Sequence, residues 1–84
     1  MNIRIVGAGL IGTSIGLGLL GSGHKIELDD NSTQNLDIAK DLLGESVTFD
    51  RADLVVIATP VTSLFSVLQA EFSRNPEAIF IDIS

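Results

Sequence analysis

The 84-residue sequence contains no cysteine, tryptophan or tyrosine, a single histidine (His24), two prolines and five basic residues. Without cysteine, disulfides, thiolate metal sites and cysteine nucleophiles are excluded. One histidine with no H-x-x-x-H spacing leaves no credible zinc site, and no metal is expected. The cations, Arg4, Lys25, Lys40, Arg51 and Arg74, are scattered among eleven acids, for a net charge of −6. Nucleic acid and anionic lipid therefore find no basic patch to bind. The serines and threonines have no partner base, so no nucleophilic triad can be assembled. A cytoplasmic setting fits these absences best.

What the chain does have is apolar residues, 45% of the total, with a mean hydropathy of +0.42. Such richness in a single small domain suits strands buried on both faces of a parallel sheet. It also implies apolar surface that expects a partner. Residues 5–23 carry no charge, which mimics a membrane span or, with Arg4 ahead and small residues near Gly21-Ser22-Gly23, a signal peptide. The interrupting glycines, Thr13 and Ser14 argue against both, and no membrane partner is expected.

The densest information lies in Ile3-Arg4-Ile5-Val6-Gly7-Ala8-Gly9-Leu10-Ile11-Gly12, a β-branched strand entering G-x-G-x-x-G. Gly7 allows the turn out of the strand, Gly9 lets a pyrophosphate approach the backbone, and Gly12 lets the next helix pack on the sheet. The N–H groups of Leu10, Ile11 and Gly12, backed by the helix dipole, would face the phosphates. A purely structural glycine turn is the plain alternative. Against it stands Asp30, eighteen positions after Gly12, at the distance where a dinucleotide unit places its ribose-binding acid. Its carboxylate would repel a 2′-phosphate, favouring NAD over NADP. Asp29 is its rival, and a solvated Asp-Asp-Asn turn is the reading without function.

Periodicity and punctuation predict strands over Asn2–Val6, Lys25–Asp29, Leu54–Ala58 and Ala78–Ile83, with a very short strand at most over Val47–Phe49. Helices are expected over Leu10–Leu20, after an Asn31-Ser32-Thr33 cap until Gly44, and from Thr59 (N-cap) and Pro60 to Asn75-Pro76. Glu27 in the second strand suggests a sheet edge. This order gives one α/β domain over 1–84, a doubly wound parallel sheet of Rossmann type with strand order 3-2-1-4-5. Ala58, Thr59 and Pro60 then end the fourth strand beside the glycine loop, where ligands collect in such sheets. Thr59 is placed to contact the nicotinamide ribose, to cap the helix, or both. Asp82 and Ser84 close the last strand on the same edge, while His24 lies at the opposite edge, out of reach for catalysis. No catalytic residue is expected in this chain.

These residues resemble the nucleotide-binding half of the prephenate and arogenate dehydrogenases. The likeness rests on Ile5-Val6-Gly7-Ala8-Gly9-Leu10-Ile11-Gly12-Thr13-Ser14, on Gly23-His24, on Ala52 to Val61 and on Ile81-Asp82, and it spans essentially the whole chain. The family pattern continues D-x-x-S-x-K, of which Asp82 and two variable positions are present; Glu27 and Asp29 stand where more neutral residues are usual. The resemblance implies oxidative decarboxylation of prephenate or arogenate in tyrosine biosynthesis, with hydride passing to NAD(P)⁺. It further implies a histidine base, substrate-binding arginines and a helical dimerisation domain beyond residue 84, hence a homodimeric parent and a truncated cofactor domain that binds nucleotide but is inactive alone. The cofactor domain of another two-domain dehydrogenase, of pyrroline-carboxylate or β-hydroxyacid type, and a non-catalytic NAD-sensing domain are the alternatives.

Overall fold

The computed structural model describes residues 1–7, 9–30, 32–44 and 48–83. Four parallel strands, β1 (Asn2–Val6), β2 (Lys25–Asp29), β3 (Leu54–Ile57) and β4 (Ile79–Asp82), form one sheet in the order β2-β1-β3-β4. Three helices alternate with them: α1 (Leu10–Gly21), α2 (Thr33–Leu43) and α3 (Val61–Arg74). This is the expected Rossmann-like α/β sheet. Its strands correspond to 2-1-4-5 of the five anticipated. The short strand expected over Val47–Phe49 is not seen in its described part: Thr48 and Phe49 pair with nothing, and Val47 lies outside the described residues. Phe49 instead packs beneath α3's face of the sheet, so its apolar character reports a core contact.

Strand alternation divides the core in two. Ile3, Ile5, Ile26 and Val56 bury against Ile15 and Leu19 of α1, and Val6, Val55 and Ile57 bury against Leu64, Val67 and Leu68 of α3. Helix α2 lies beside α1 and β2. Helix ends follow the sequence punctuation closely. At the end of α1, Gly23 N–H bonds to Leu20 O and His24 N–H to Leu19 O, with Gly23 at φ +88°. That is a Schellman termination, which needs the left-handed conformation that glycine tolerates. Ser32 caps α2 by accepting the Asn35 N–H at 3.3 Å, an interaction type that contributes about 1 kcal/mol. Helix α3 differs from expectation by one residue. Its N-cap is Pro60, not Thr59, and no side chain caps it.

Glu27 marks an edge strand, as expected, but it is not solvated. Strand β2 is an edge of the described sheet, yet Glu27 is only 5% exposed. Its partner is Arg4, in direct register across β1 and β2. Arg4 Nη1 reaches Glu27 Oε1 at 2.9 Å, Nε and Nη2 grip the two oxygens of Glu71 at 2.6 and 3.0 Å, and Nη2 also holds Asp29 Oδ2 at 2.6 Å. Arg74 adds a looser contact to Glu27 at 3.7 Å. Burial opposes charge on Arg4, but its bonds to Glu71, Glu27 and Asp29 prevail and raise its pKa above the ordinary arginine value. The guanidinium thus ties β1, β2 and α3 together.

Removing one member of a buried ionic cluster strands the others without compensation, typically at a cost of about 3–5 kcal/mol. Arg4→Met is expected to lower stability by that amount, a large share of the roughly 5–15 kcal/mol of a small domain. Replacing Arg4, Glu27 and Glu71 together by Met, Leu and Leu should recover most of the loss. Urea unfolding midpoints of both variants check this; equal losses in the two would show that packing, not stranded charge, is responsible.

Candidate functional site: a cleft at the carboxyl edge of the sheet

The carboxyl ends of the strands meet in a cleft of about 610 Å³, lined by residues of the β1 loop, the β2–α2 turn and the β3–α3 turn. Gly7 leaves β1 with φ +107°, a conformation that side chains disfavour. There is also no room for one, because a Cβ on Gly7 would sit 2.6 Å from the Ala58 carbonyl oxygen. Gly7 N–H bonds to Asp29 O at 2.7 Å and Ala58 N–H to Val6 O at 2.8 Å, which ties the three strand ends together. A Cβ on Gly12 would collide with the Gly7 carbonyl oxygen and touch Ile5 at 3.4 Å. Gly9 differs: nothing lies within 4 Å of where its Cβ would be. The space above Gly9 is therefore open to an incoming ligand.

Gly9 is also the N-cap of α1, and no side chain caps that helix. Its hydrogen-bond ladder begins with Thr13 N–H to Gly9 O at 2.9 Å. The backbone N–H groups of Leu10, Ile11 and Gly12 precede that ladder, as in any first helical turn. They form an anion-attracting end at the rim of the cleft. The side chains of Leu10 and Ile11, and Ala8 as a whole, lie outside the described residues.

Asp29 and Asp30 line the opposite wall. Asp29 is half exposed and its Oδ2 accepts from Arg4 Nη2, whereas Asp30 accepts the Ser32 N–H at 2.7 Å in an Asx turn. Ala58, Thr59 and Pro60 line the third side. The Thr59 hydroxyl oxygen is buried and has no hydrogen-bond partner among the described residues. Asp82 ends β4 in register with Ile57, on the same edge but outside the described lining. His24 precedes β2 at the other edge, its N–H bonded to Leu19 O. Ser84 lies outside the described residues.

The sequence reading missed Ser32, Asn35, Ser63 and Val67, which complete the wall. Ser32 was visible only as a cap, and the others belong to helix faces whose orientation depends on tertiary packing. It also missed Arg4 behind Asp29. A charge in each of two neighbouring apolar strands, at positions that pair in parallel register, was the available signal.

The two crowded and the one uncrowded glycine give opposite expectations for stability. Gly12→Ala should push α1 off the β1 loop and cost about 1–3 kcal/mol, a fall in melting temperature of at least about 4 °C for a domain this size. A thermal melt unchanged within about 1 °C would mean that the helix start yields freely to the added methyl.

This fold is shared by known proteins. The sequence profile of the family described as NADP oxidoreductase, coenzyme F420-dependent, matches residues 2–84. A probable prephenate dehydrogenase, NovF of Streptomyces niveus, is 34% identical over 83 residues, covering 95% of this chain and 23% of NovF. Synechocystis arogenate dehydrogenase superposes with a TM-score of 0.85 at 25% identity, over 100% of this chain and 33% of that one. A putative NADP oxidoreductase from Bacteroides fragilis has the same fold, with a TM-score of 0.85 at 16% identity over 99% of this chain and 35% of that one. So does a semialdehyde dehydrogenase NAD-binding protein from Cupriavidus necator, solved with calcium and NAD, with a TM-score of 0.83 at 22% identity over 99% of this chain and 33% of that one. The chain thus spans about a quarter to a third of these relatives. Matched along residues 2–84, it belongs to the NADP oxidoreductase, coenzyme F420-dependent, family and is a dinucleotide-binding domain of the oxidoreductase kind.

Proposed function

We propose that this chain is the cofactor domain of a prephenate or arogenate dehydrogenase and prefers NAD to NADP. The observation that carries the binding site is the pairing of the open space over Gly9 with the uncapped start of α1. The pyrophosphate lies there, held by the N–H groups of Leu10, Ile11 and Gly12. Asp30 accepts hydrogen bonds from the adenosine ribose hydroxyls, and Thr59, with the backbone of Ala58 and Pro60, meets the nicotinamide ribose. Asp82 borders the nicotinamide end. When bound, the nicotinamide supplies the hydride acceptor; the chain's own residues orient it. The substrate class rests on the likeness to NovF and to the Synechocystis enzyme. The proposal extends to a cytoplasmic, homodimeric parent.

The family description and the Bacteroides relative both name NADP, so an NADP-using reductase is the competing reading. Two aspartates and no arginine or lysine among the described lining residues favour NAD.

Titration calorimetry with both nucleotides tests the reading. NAD is expected to bind more tightly than NADP. Asp30→Ala should weaken NAD and narrow the gap, and Gly9→Val should abolish binding of both while the protein stays folded. Preference for NADP, or Gly9→Val binding within a few-fold of the parent chain, would overturn it. Prephenate or arogenate should not be turned over by these 84 residues alone, since no histidine, arginine or lysine is among the described lining residues. Saturable formation of reduced nucleotide, followed by absorbance, would contradict that.

A further inference from the structure

Arg4 reaches from the buried layer beneath α3 to the rim of the cleft, and the nucleotide site proposed above makes no use of it. It is 4% exposed, and its Nη2 is shared between Glu71 in the interior and Asp29, whose side chain is 51% exposed on the cleft wall. The adenosine side of the cleft therefore carries two acids of unlike standing. Asp29 is held from behind, its charge partly offset by a guanidinium that also serves Glu27 and Glu71, while Asp30 accepts the Ser32 N–H of its own turn. A charge half in solvent and paired at 2.6 Å presents far less field to a ligand than the same charge released.

We propose that Arg4 is a specificity-determining residue of the nucleotide site, acting through Asp29: by offsetting part of the Asp29 charge it sets how strongly the cleft discriminates against a 2′-phosphate. This rests on the dinucleotide reading above and deepens it. Asp30 contacts the ribose; Arg4 sets the charge around that contact.

Arg4→Lys separates this role from bulk stability. A lysine ammonium is a compact charge whose three N–H donors radiate from one nitrogen, and it cannot span three carboxylates as the wide, planar guanidinium fork does. Glu27 and Glu71, being buried, keep the cation because their desolvation is the more costly, and Asp29 turns to solvent with its charge uncompensated. A second full negative charge near the 2′ position then repels NADP more than NAD. The ratio of NADP to NAD dissociation constants is expected to rise about three-fold or more at low ionic strength, and to rise less at high salt. Asp29→Asn with Arg4 intact should lower the ratio by a similar factor while NAD affinity changes less than about two-fold. The double variant should match Asp29→Asn alone.

The measurement is calorimetric or fluorescence titration of the 84-residue chain and the three variants with both nucleotides, folding being checked by circular dichroism. A ratio unmoved or lowered by Arg4→Lys overturns the proposal, as does a rise that persists in the double variant. Should Arg4→Lys fail to fold, Asp29→Asn decides: a fallen ratio with NAD affinity kept supports the role, and weakened NAD binding makes Asp29 the ribose ligand and overturns it. Nucleotide binding absent from the parent chain removes the cofactor reading itself; binding with an unmoved ratio removes only Arg4's part in it.

Discussion

Two contacts of backbone on backbone govern the rest of this structure: the Gly7 loop against the Ala58 carbonyl, and the start of α1 against the Gly7 carbonyl. Neither leaves room for a Cβ. Because β1 can turn sharply over the end of β3, the first helix begins directly above the sheet edge, aimed across it. Because that helix then lies so close to Ile5, Ile15 and Leu19 can reach the first core layer with few large residues between. Gly12, which would weaken an isolated helix, is thus repaid by packing. The same closeness puts the first-turn N–H groups at the rim of the cleft. Fold and binding site share one steric constraint.

The opposite face of the sheet is organised by charge as well as by apolar burial. Val6, Val55 and Ile57 supply an ordinary hydrophobic half, and Arg4, Glu27 and Glu71 fill the half toward β2. Such a cluster gains little net stability over an apolar equivalent, since each ion must leave water. Its geometry is demanding, however. The fork engages both oxygens of Glu71 only when α3 sits at one rotation and one height over β1. The wholly apolar contacts of Leu64 and Val67 would tolerate several.

Strand and helix limits were readable where local chemistry decides them. The runs Ile3–Val6 and Leu54–Ile57, the Gly21-Ser22-Gly23 stop and the Ser32 cap all act within a few residues of themselves, and all appear where expected. Readings that depended on distant partners fared differently. Phe49 looked like strand because it is apolar, but it is a core contact. Glu27 pointed to the sheet edge that β2 does form, but its sequence window held no sign that Arg4 meets it across the sheet. Thr59 looked like a cap because threonine before proline often is one, but Pro60 takes that position and leaves the hydroxyl buried. For the site, the glycine loop, Asp30 and the Ala58–Pro60 turn were legible as motifs and do come together around one cleft. The helix faces that complete it were not, because a side chain's neighbours across a cleft have no signature in its own sequence window.

A cleft that takes a pyrophosphate ordinarily recruits cations, and this one has none among its described lining residues while the chain carries a net charge of −6. Long-range repulsion therefore opposes an anionic ligand, and in the proposed site affinity would come from short range. Backbone N–H groups at a helix start provide that: their partial charges act within the first turn and need no counterion. The arrangement separates two tasks that a lysine or arginine would merge. In the proposed site, phosphates would be held by dipoles that cannot tell one dinucleotide from another, and discrimination would fall to the acids across the cleft. A cation would contribute there from behind the wall, where Arg4 answers Asp29.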